Sequence, residues 1–390
     1  MNYKKVEEKD KKTLGIYIHI PFCKKKCHYC DFTSLSNKDD SCIKRYKDVL
    51  KKEIKYKVSE LKDDNNIRIN TIYIGGGTPS YIDSKYIIEI IKEVKKEFNI
   101  LVLDNVEVTI EVNPGTITKQ KLVDYINIGV NRISIGLQST SNSLLELIGR
   151  IHTYEEFEKT YELAVEAGFK NINVDLMLGL PKQTIEDIKE SVNKIINLNP
   201  KPNHISIYSL ILEENTKLKD MIDNGIVKII EEDERDMYWT VKKMLENNEY
   251  AHYEISNFAK QGYESKHNLD CWNQKEYLGF GLGAHSYFDN KRYSNIEDLN
   301  KYINNENVIN IEEVQSEEEK QKEYMLLGLR KIEGIDISEF KNRFTTNPIY
   351  IYKEKLDKLH KQNLIEIDKN NIKLTNKGLD FANIVWEEFV

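Results

Sequence analysis

Six short segments rich in isoleucine and valine punctuate the first half of this chain, at 16–20, 71–74, 106–111, 132–136, 171–176 and 204–208. Each is bounded by Gly, Pro, Asn or Asp, the pattern of a strand between turns. The segments between them carry apolar residues at helical spacing. In 40–61 these are Ile43, Tyr46, Val49, Leu50, Ile54 and Val58. Segments 84–98, 153–167 and 184–198 follow the same rule, and Ser143 with Glu146 has the spacing of a capping box. Six β–α units in succession predict a parallel sheet with helices outside it. Right-handed crossovers curl such a sheet. Closure takes eight strands, so the expectation is an α/β fold built as a partial (β/α)6 TIM-like barrel.

Barrels of this kind carry their chemistry at the C-terminal ends of the strands. Every candidate strand here runs into a chemically useful residue or a glycine-rich turn. Cys23, Cys27 and Cys30 follow the first, in a C-x3-C-x2-C spacing, and Gly75-Gly-Gly-Thr-Pro-Ser80 follows the second. Glu111 ends the third, Gln138 follows the fourth, Asp175 lies in the fifth and Tyr208 ends the sixth. Three thiolates can hold three irons of a [4Fe–4S] cluster and leave the fourth iron open to a small molecule. The spacing also admits a zinc site completed by Cys42, or unligated buried thiols. Cys42 follows the polar stretch 36–41 at an expected helix start, which places it poorly for a fourth ligand.

The other residues each have two readings. Glycines at 75–77 let backbone groups approach a ligand, or simply make a tight turn. A carboxylate at Glu111 must find a donor, on a ligand or on a neighbouring Lys or Arg. Arg150 can grip a carboxylate with two bonds, or sit solvated at a helix end. Asp175 interrupts an apolar strand, which does not suit a solvated role. Tyr17 either packs on a ligand or fills a core.

Beyond Glu213 the pattern changes. Segment 231–247 reads as an exposed helix, 250–256 as an added edge strand and 304–322 as a charged linker. Helices at 323–330 and 350–362, a hairpin from 364–367 and 372–374, and a last helix at 379–388 give a winged-helix-like C-terminal accessory domain. The expected division is a partial barrel over 1–230, a flanking extension over 231–310 and the accessory domain over 311–390. A formal charge of −7 argues against a nucleic acid partner. Five cysteines, three of them between positions 23 and 30, are not a disulfide framework and point to a reducing compartment. No stretch approaches the roughly 18 apolar residues of a membrane span, and the start 1–12, charged with both signs, does not read as a signal peptide.

The runs Ile18-His-Ile-Pro-Phe-Cys23, Gly75-Gly-Gly-Thr-Pro-Ser80, Ile110-Glu-Val-Asn-Pro114, Arg132-Ile-Ser-Ile-Gly-Leu-Gln-Ser139 and Asp175-Leu-Met-Leu-Gly-Leu-Pro181 together resemble the oxygen-independent coproporphyrinogen oxidase group of the radical S-adenosylmethionine (SAM) superfamily. The resemblance implies a partial barrel with a [4Fe–4S] cluster on Cys23, Cys27 and Cys30. It implies SAM on the open iron, held by Tyr17, Tyr29, Gly76, Gly77, Thr78, Glu111, Gln138, Arg150 and Asp175. The group contains a dehydrogenase, which decarboxylates porphyrinogen propionates, and a haem chaperone, which delivers haem to respiratory proteins.

Three features favour the chaperone branch. Phe32 stands where the dehydrogenase has a further cysteine, only sixteen residues precede Tyr17, and His267-Asn-Leu-Asp-Cys-Trp272 resembles a chaperone signature with Cys271 in place of its tyrosine. On this reading haem and haem-accepting respiratory proteins are the partners, and His267, Cys271 and His285 are the candidate haem contacts. The location is cytoplasmic, with attachment to the inner face of the membrane and homodimerisation left open. The dehydrogenase is the alternative.

Overall fold

The structure is a computed structural model that describes residues 12–61, 67–100, 103, 105–228, 231–304 and 309–390. The charged start 1–11 and positions 305–308 of the expected linker lie outside the described residues. Strands β1 (Lys12–Ile20), β2 (Ile67–Gly76), β3 (Glu107–Val112), β4 (Arg132–Gln138), β5 (Asn171–Leu178) and β6 (His204–Ser209) pair in parallel in chain order. Helices α1 (Asp40–Ser59), α2 (Ser84–Glu97), α3 (Lys119–Ile128), α4 (Asn142–Leu147), α5 (Tyr154–Ala167) and α6 (Ile185–Ile196) occupy the crossovers.

Period-two alternation sorts the strands' side chains onto two faces. Ile72, Ile74, Val108, Ile110, Ile133, Ile135, Val174 and Leu176 are fully buried and join one core with Leu50, Ile54, Ile90, Leu122, Phe157 and Val192 of the helices. The alternate positions are polar: Tyr73, Glu111, Ser134, Asn173 and Asp175. A polar strand face that is largely shielded from water must satisfy itself internally or through a ligand.

Thr153 with Glu156 and Thr184 with Asp187 form capping boxes at α5 and α6. The box expected at Ser143 does not form. Helix α4 already begins at Asn142, so Ser143 lies inside it, and its hydroxyl pairs with Ser141 Oγ at 3.0 Å.

Both sheet edges are extended. The antiparallel strands Asn257–Ala259 and Ala251–Glu254 continue beyond β6. On the other side Tyr277–Phe280 pairs in parallel with β1, and His285–Phe288, Lys291–Asn295 and Ile309–Val314 follow antiparallel. The resulting twelve-stranded mixed sheet is open, because its two outermost strands do not pair with each other.

Two expectations are corrected here. Helix Glu231–Glu246 is not an exposed helix: it buries Met237, Tyr238, Val241 and Leu245 in the main core. Its high charge content masks a narrow apolar stripe. The expected linker 304–322 contains the edge strand Ile309–Val314 and the start of helix Glu317–Gly328, which a Ser316–Glu319 capping box begins.

Tyr324, Phe340, Phe344, Leu356, Leu359, Ile365 and Ile372 form a second, separate core. Helices Ile337–Phe344 and Lys353–Lys361 pack there with a three-stranded antiparallel sheet made of Ile335–Asp336, Asn371–Leu374 and Ile365–Ile367. Backbone bonds Ile255 N–H to Arg330 O and Ile332 N–H to Tyr253 O, both 3.1 Å, fasten this unit to the barrel. Arg343 adds bonds to the Asn273 and Gln274 carbonyls.

Candidate functional site

A cavity of about 420 Å3 opens at the C-terminal ends of the parallel strands. All three motif cysteines line it, together with Tyr29, Gly76, Gly77, Thr78, Glu111, Gln138, Arg150 and Asp175. Backbone bonds dock the cysteine loop on the glycine turn, with Gly77 N–H to Ile20 O and Thr78 N–H to Phe22 O each at 2.9 Å. The glycines are needed there. A Cβ on Gly77 would lie 2.9 Å from Cys23 Sγ and from the Pro21 backbone, and Gly76 has φ +111° with His19 in the space a Cβ would fill.

Polar contacts reach the sulfurs. The Thr78 hydroxyl donates to Cys23 Sγ at 3.4 Å and itself accepts from Asn113 Nδ2 at 3.0 Å. Arg150 Nη1 donates to Cys27 Sγ at 3.6 Å. Burial pushes the Cys23 thiol up and the Cys30 thiol to about 11, the latter helped by the neighbouring Cys27. Coordination by a metal centre outweighs such a cost and deprotonates thiols outright.

The donor set fits a cluster held by three thiolates. Three sulfurs share one wall, whereas Cys42 and Cys271 do not line the cavity. Among the described residues no three His, Cys, Asp or Glu side chains converge on a single-ion position, and a cube of iron and sulfide does not ask for that convergence.

Glu111 accepts from the Tyr73 hydroxyl at 2.8 Å and from Gly76 N–H at 3.1 Å, and burial raises its carboxyl to about 7. Its donors are therefore a phenol and a backbone amide, not a Lys or Arg. Asp175 accepts from Asn173 Nδ2 at 2.7 Å and the Ser134 hydroxyl at 3.1 Å, and burial raises it as well. Gln138 sits at a register shift of β4 with φ +74°. Its Oε1 and the Nε of Arg150 are buried without a hydrogen-bond partner. An orphaned acceptor and an orphaned donor on one cavity wall fit a ligand with both kinds of polar group.

Tyr73, Asn113, Ser134 and Met177 also line the cavity, and the sequence reading missed them. Strand alternation was the available signal: Tyr73 lies two residues before Gly75, Ser134 two before Gly136, and Met177 two after Asp175.

Four anticipated residues are not on this wall. Tyr17 lies behind Tyr73, with ring centroids 6.3 Å apart and its hydroxyl 3.0 Å from His19 Nδ1. His267 stacks on Tyr73 at 5.1 Å, with Nδ1 2.8 Å from Thr71 Oγ1, and burial lowers it to about 4. Cys271 belongs to helix Lys266–Trp272, and burial pushes its thiol up to about 12. His285 is exposed on an outer strand, opposite Ser294. His267 and Cys271 lie four residues apart on one helix, whereas His285 belongs to a separate, outer strand.

The profile of the radical SAM superfamily matches residues 17–195, and that of the HemN C-terminal domain matches residues 315–381. The heme chaperone HemW of Lactococcus lactis subsp. lactis is 37% identical over 378 residues, 96% of each chain. The chain belongs to the HemW family of radical SAM proteins. HemW of Bacillus subtilis is 35% identical over 96% of this chain and 98% of its own. HemW of Escherichia coli is 36% identical over 70% of this chain and 69% of its own. The solved structure of coproporphyrinogen III oxidase (HemN) from Escherichia coli, described as a radical SAM enzyme, is similar with a TM-score of 0.84 at 21% identity. The match covers 98% of this chain and 91% of that one. The barrel and the C-terminal domain thus share one fold with that structure.

Proposed function

We propose that this HemW-family chain is a haem chaperone that binds haem and passes it to acceptor proteins of respiration, on a scaffold that also holds a [4Fe–4S] cluster and SAM. The observation that carries the reading is a wall shared by three thiols, a glycine turn and two half-buried carboxylates, in a chain that matches haem chaperones over nearly its full length.

Cys23, Cys27 and Cys30 would ligate the cluster. Gly76, Gly77 and Thr78 would meet the methionine portion of SAM through their backbone, with Arg150 and Gln138 supplying their unused polar atoms. Tyr29, Glu111 and Asp175 would close on the rest of SAM, with Tyr17 steadying Tyr73 from behind. When bound, the cluster and SAM supply one-electron chemistry. The chain's own part is to bind and to orient.

The main sheet and its core, which take in the expected 231–310 extension and end with strand Ile309–Val314, would carry the cluster and SAM, and the second core would be an accessory unit. No described helix is long and apolar enough to cross a membrane. A cytoplasmic location, with contact at the inner membrane face where acceptors reside, fits the role, and self-association into a homodimer is compatible with it. Nucleic acid has no place in it.

An anaerobic haem titration with and without the reconstituted cluster tests the reading. Saturable binding of haem is the expected result. No haem affinity, or stoichiometric formation of vinyl groups from coproporphyrinogen III and SAM, would contradict it in favour of the dehydrogenase.

A further inference from the structure

The mouth of the cavity exposes an apolar patch that the fold leaves uncovered. Phe32 is 61% exposed, Ile211 68% and Tyr208 40%, and all three line the same cavity. They arrive from separate parts of the chain, Phe32 from the cysteine loop and the other two from the end of β6 and the residues after it. Single exposed apolar residues are ordinary, but a convergent group at a cavity mouth marks a binding surface.

The same rim carries local positive charge. Lys25 and Lys26 line the cavity, Lys24 adjoins them, and all three are exposed. Lys26 Nζ donates to the Phe32 carbonyl at 3.2 Å, so an ammonium is tied to the backbone of the same loop residue. Asp31 and Glu213 stand on the rim as well, which confines the positive charge to the lysine run.

Cavity size decides what can sit where. A volume of about 420 Å3 suits one small ligand. With SAM inside, a planar tetrapyrrole has room only across the mouth. The geometry points to a haem seat on this rim, with one macrocycle face against Phe32, Tyr208 and Ile211 and a propionate paired with Lys25 or Lys26. This inference rests on the haem-chaperone reading and adds a place to it. His267 and Cys271 lie off the cavity wall and take no part in the seat.

The test uses the full chain, anaerobically reconstituted and saturated with SAM, titrated with haem by absorbance. Phe32→Ser, Ile211→Ser and the pair Lys25→Glu with Lys26→Glu are compared with the parent and with His267→Ala. Iron and sulfide content are recorded for each, and Ile211→Ser leaves the cysteine loop untouched. The expected result is weakening of about tenfold or more in each rim variant. Parent-like binding in the rim variants, or a loss confined to His267→Ala, overturns the seat while the chaperone reading stands. If the rim variants bind haem normally but fail to pass it on, the patch is instead a protein-docking face, and the seat is again overturned. A parent without haem affinity removes the chaperone reading and the seat together.

Discussion

Arg150 faces Cys27 across 3.6 Å through Nη1, while its Nη2 donates to Asn113 Oδ1 at 2.8 Å and to the Gly136 carbonyl. One guanidinium thereby joins the cysteine loop to the ends of β3 and β4. Arg150→Ala strips the Gly136 carbonyl and the half-buried Asn113 amide of their donor, a loss of about 1–3 kcal/mol. Urea unfolding of the apo protein should show it, and Arg150→Lys should rescue only part, because an ammonium cannot reproduce the fork. An unchanged midpoint in Arg150→Ala would mean that the guanidinium is not holding the loop.

Gly77→Ala should damage the cysteine site more than the fold. Its Cβ would meet Cys23 Sγ and the Pro21 backbone at 2.9 Å, so the loop must move to admit it. The expected outcome is a folded protein by circular dichroism that retains much less iron and sulfide after reconstitution. Full iron content in Gly77→Ala would show that the loop tolerates the shift.

Glu111 gives the apo protein a pH dependence of definite sign. Its carboxyl moves from an ordinary 4.5 to about 7 on folding, chiefly through burial. The folded state then binds more protons than the unfolded state between those values, so this contribution falls as pH rises through the window. Glu254, buried beside Asn257 and outside the cavity, is raised in the same way to about 7. Glu111→Gln and Glu254→Gln should each flatten part of the decline, seen as a smaller difference in denaturant midpoint between about pH 5 and about pH 7.5. A full decline surviving in the double variant would contradict the assignment.

Much of this was legible in the chain because the signals are local. Segments rich in Ile and Val and bounded by turn residues marked strands β1 to β6, and cysteine spacing marked the loop that lines the cavity. What escaped notice depended on contacts distant in sequence. Tyr277–Phe280 joins β1 from more than 250 residues away, and a four-residue apolar run says nothing of its partner. Helix Glu231–Glu246 read as solvated because its charges outnumber the four residues it buries. Phe32 and Ile211 were legible as residues but not as neighbours. His267 carried a suggestive motif, yet its ring is spent on Thr71 and Tyr73 inside the fold, and no pattern along one strand reveals what lies above it.

The second core gives a further expectation. Phe340 is fully buried between Tyr324 and Phe344, with ring centroids 5.7 and 4.7 Å away. Phe340→Ala should cost about 3–5 kcal/mol in that core alone. Unfolding followed together by cluster absorbance and circular dichroism should then separate into two steps, with the accessory unit melting first. One coincident transition would show that the two cores unfold as one.

Electron paramagnetic resonance of the reduced, reconstituted protein with and without SAM tests the central claim most directly. The account predicts an iron–sulfur signal that changes on SAM addition and disappears when Cys23, Cys27 or Cys30 is replaced by alanine. A colourless protein that holds zinc and takes up no iron or sulfide, or a cluster signal indifferent to SAM, would contradict it.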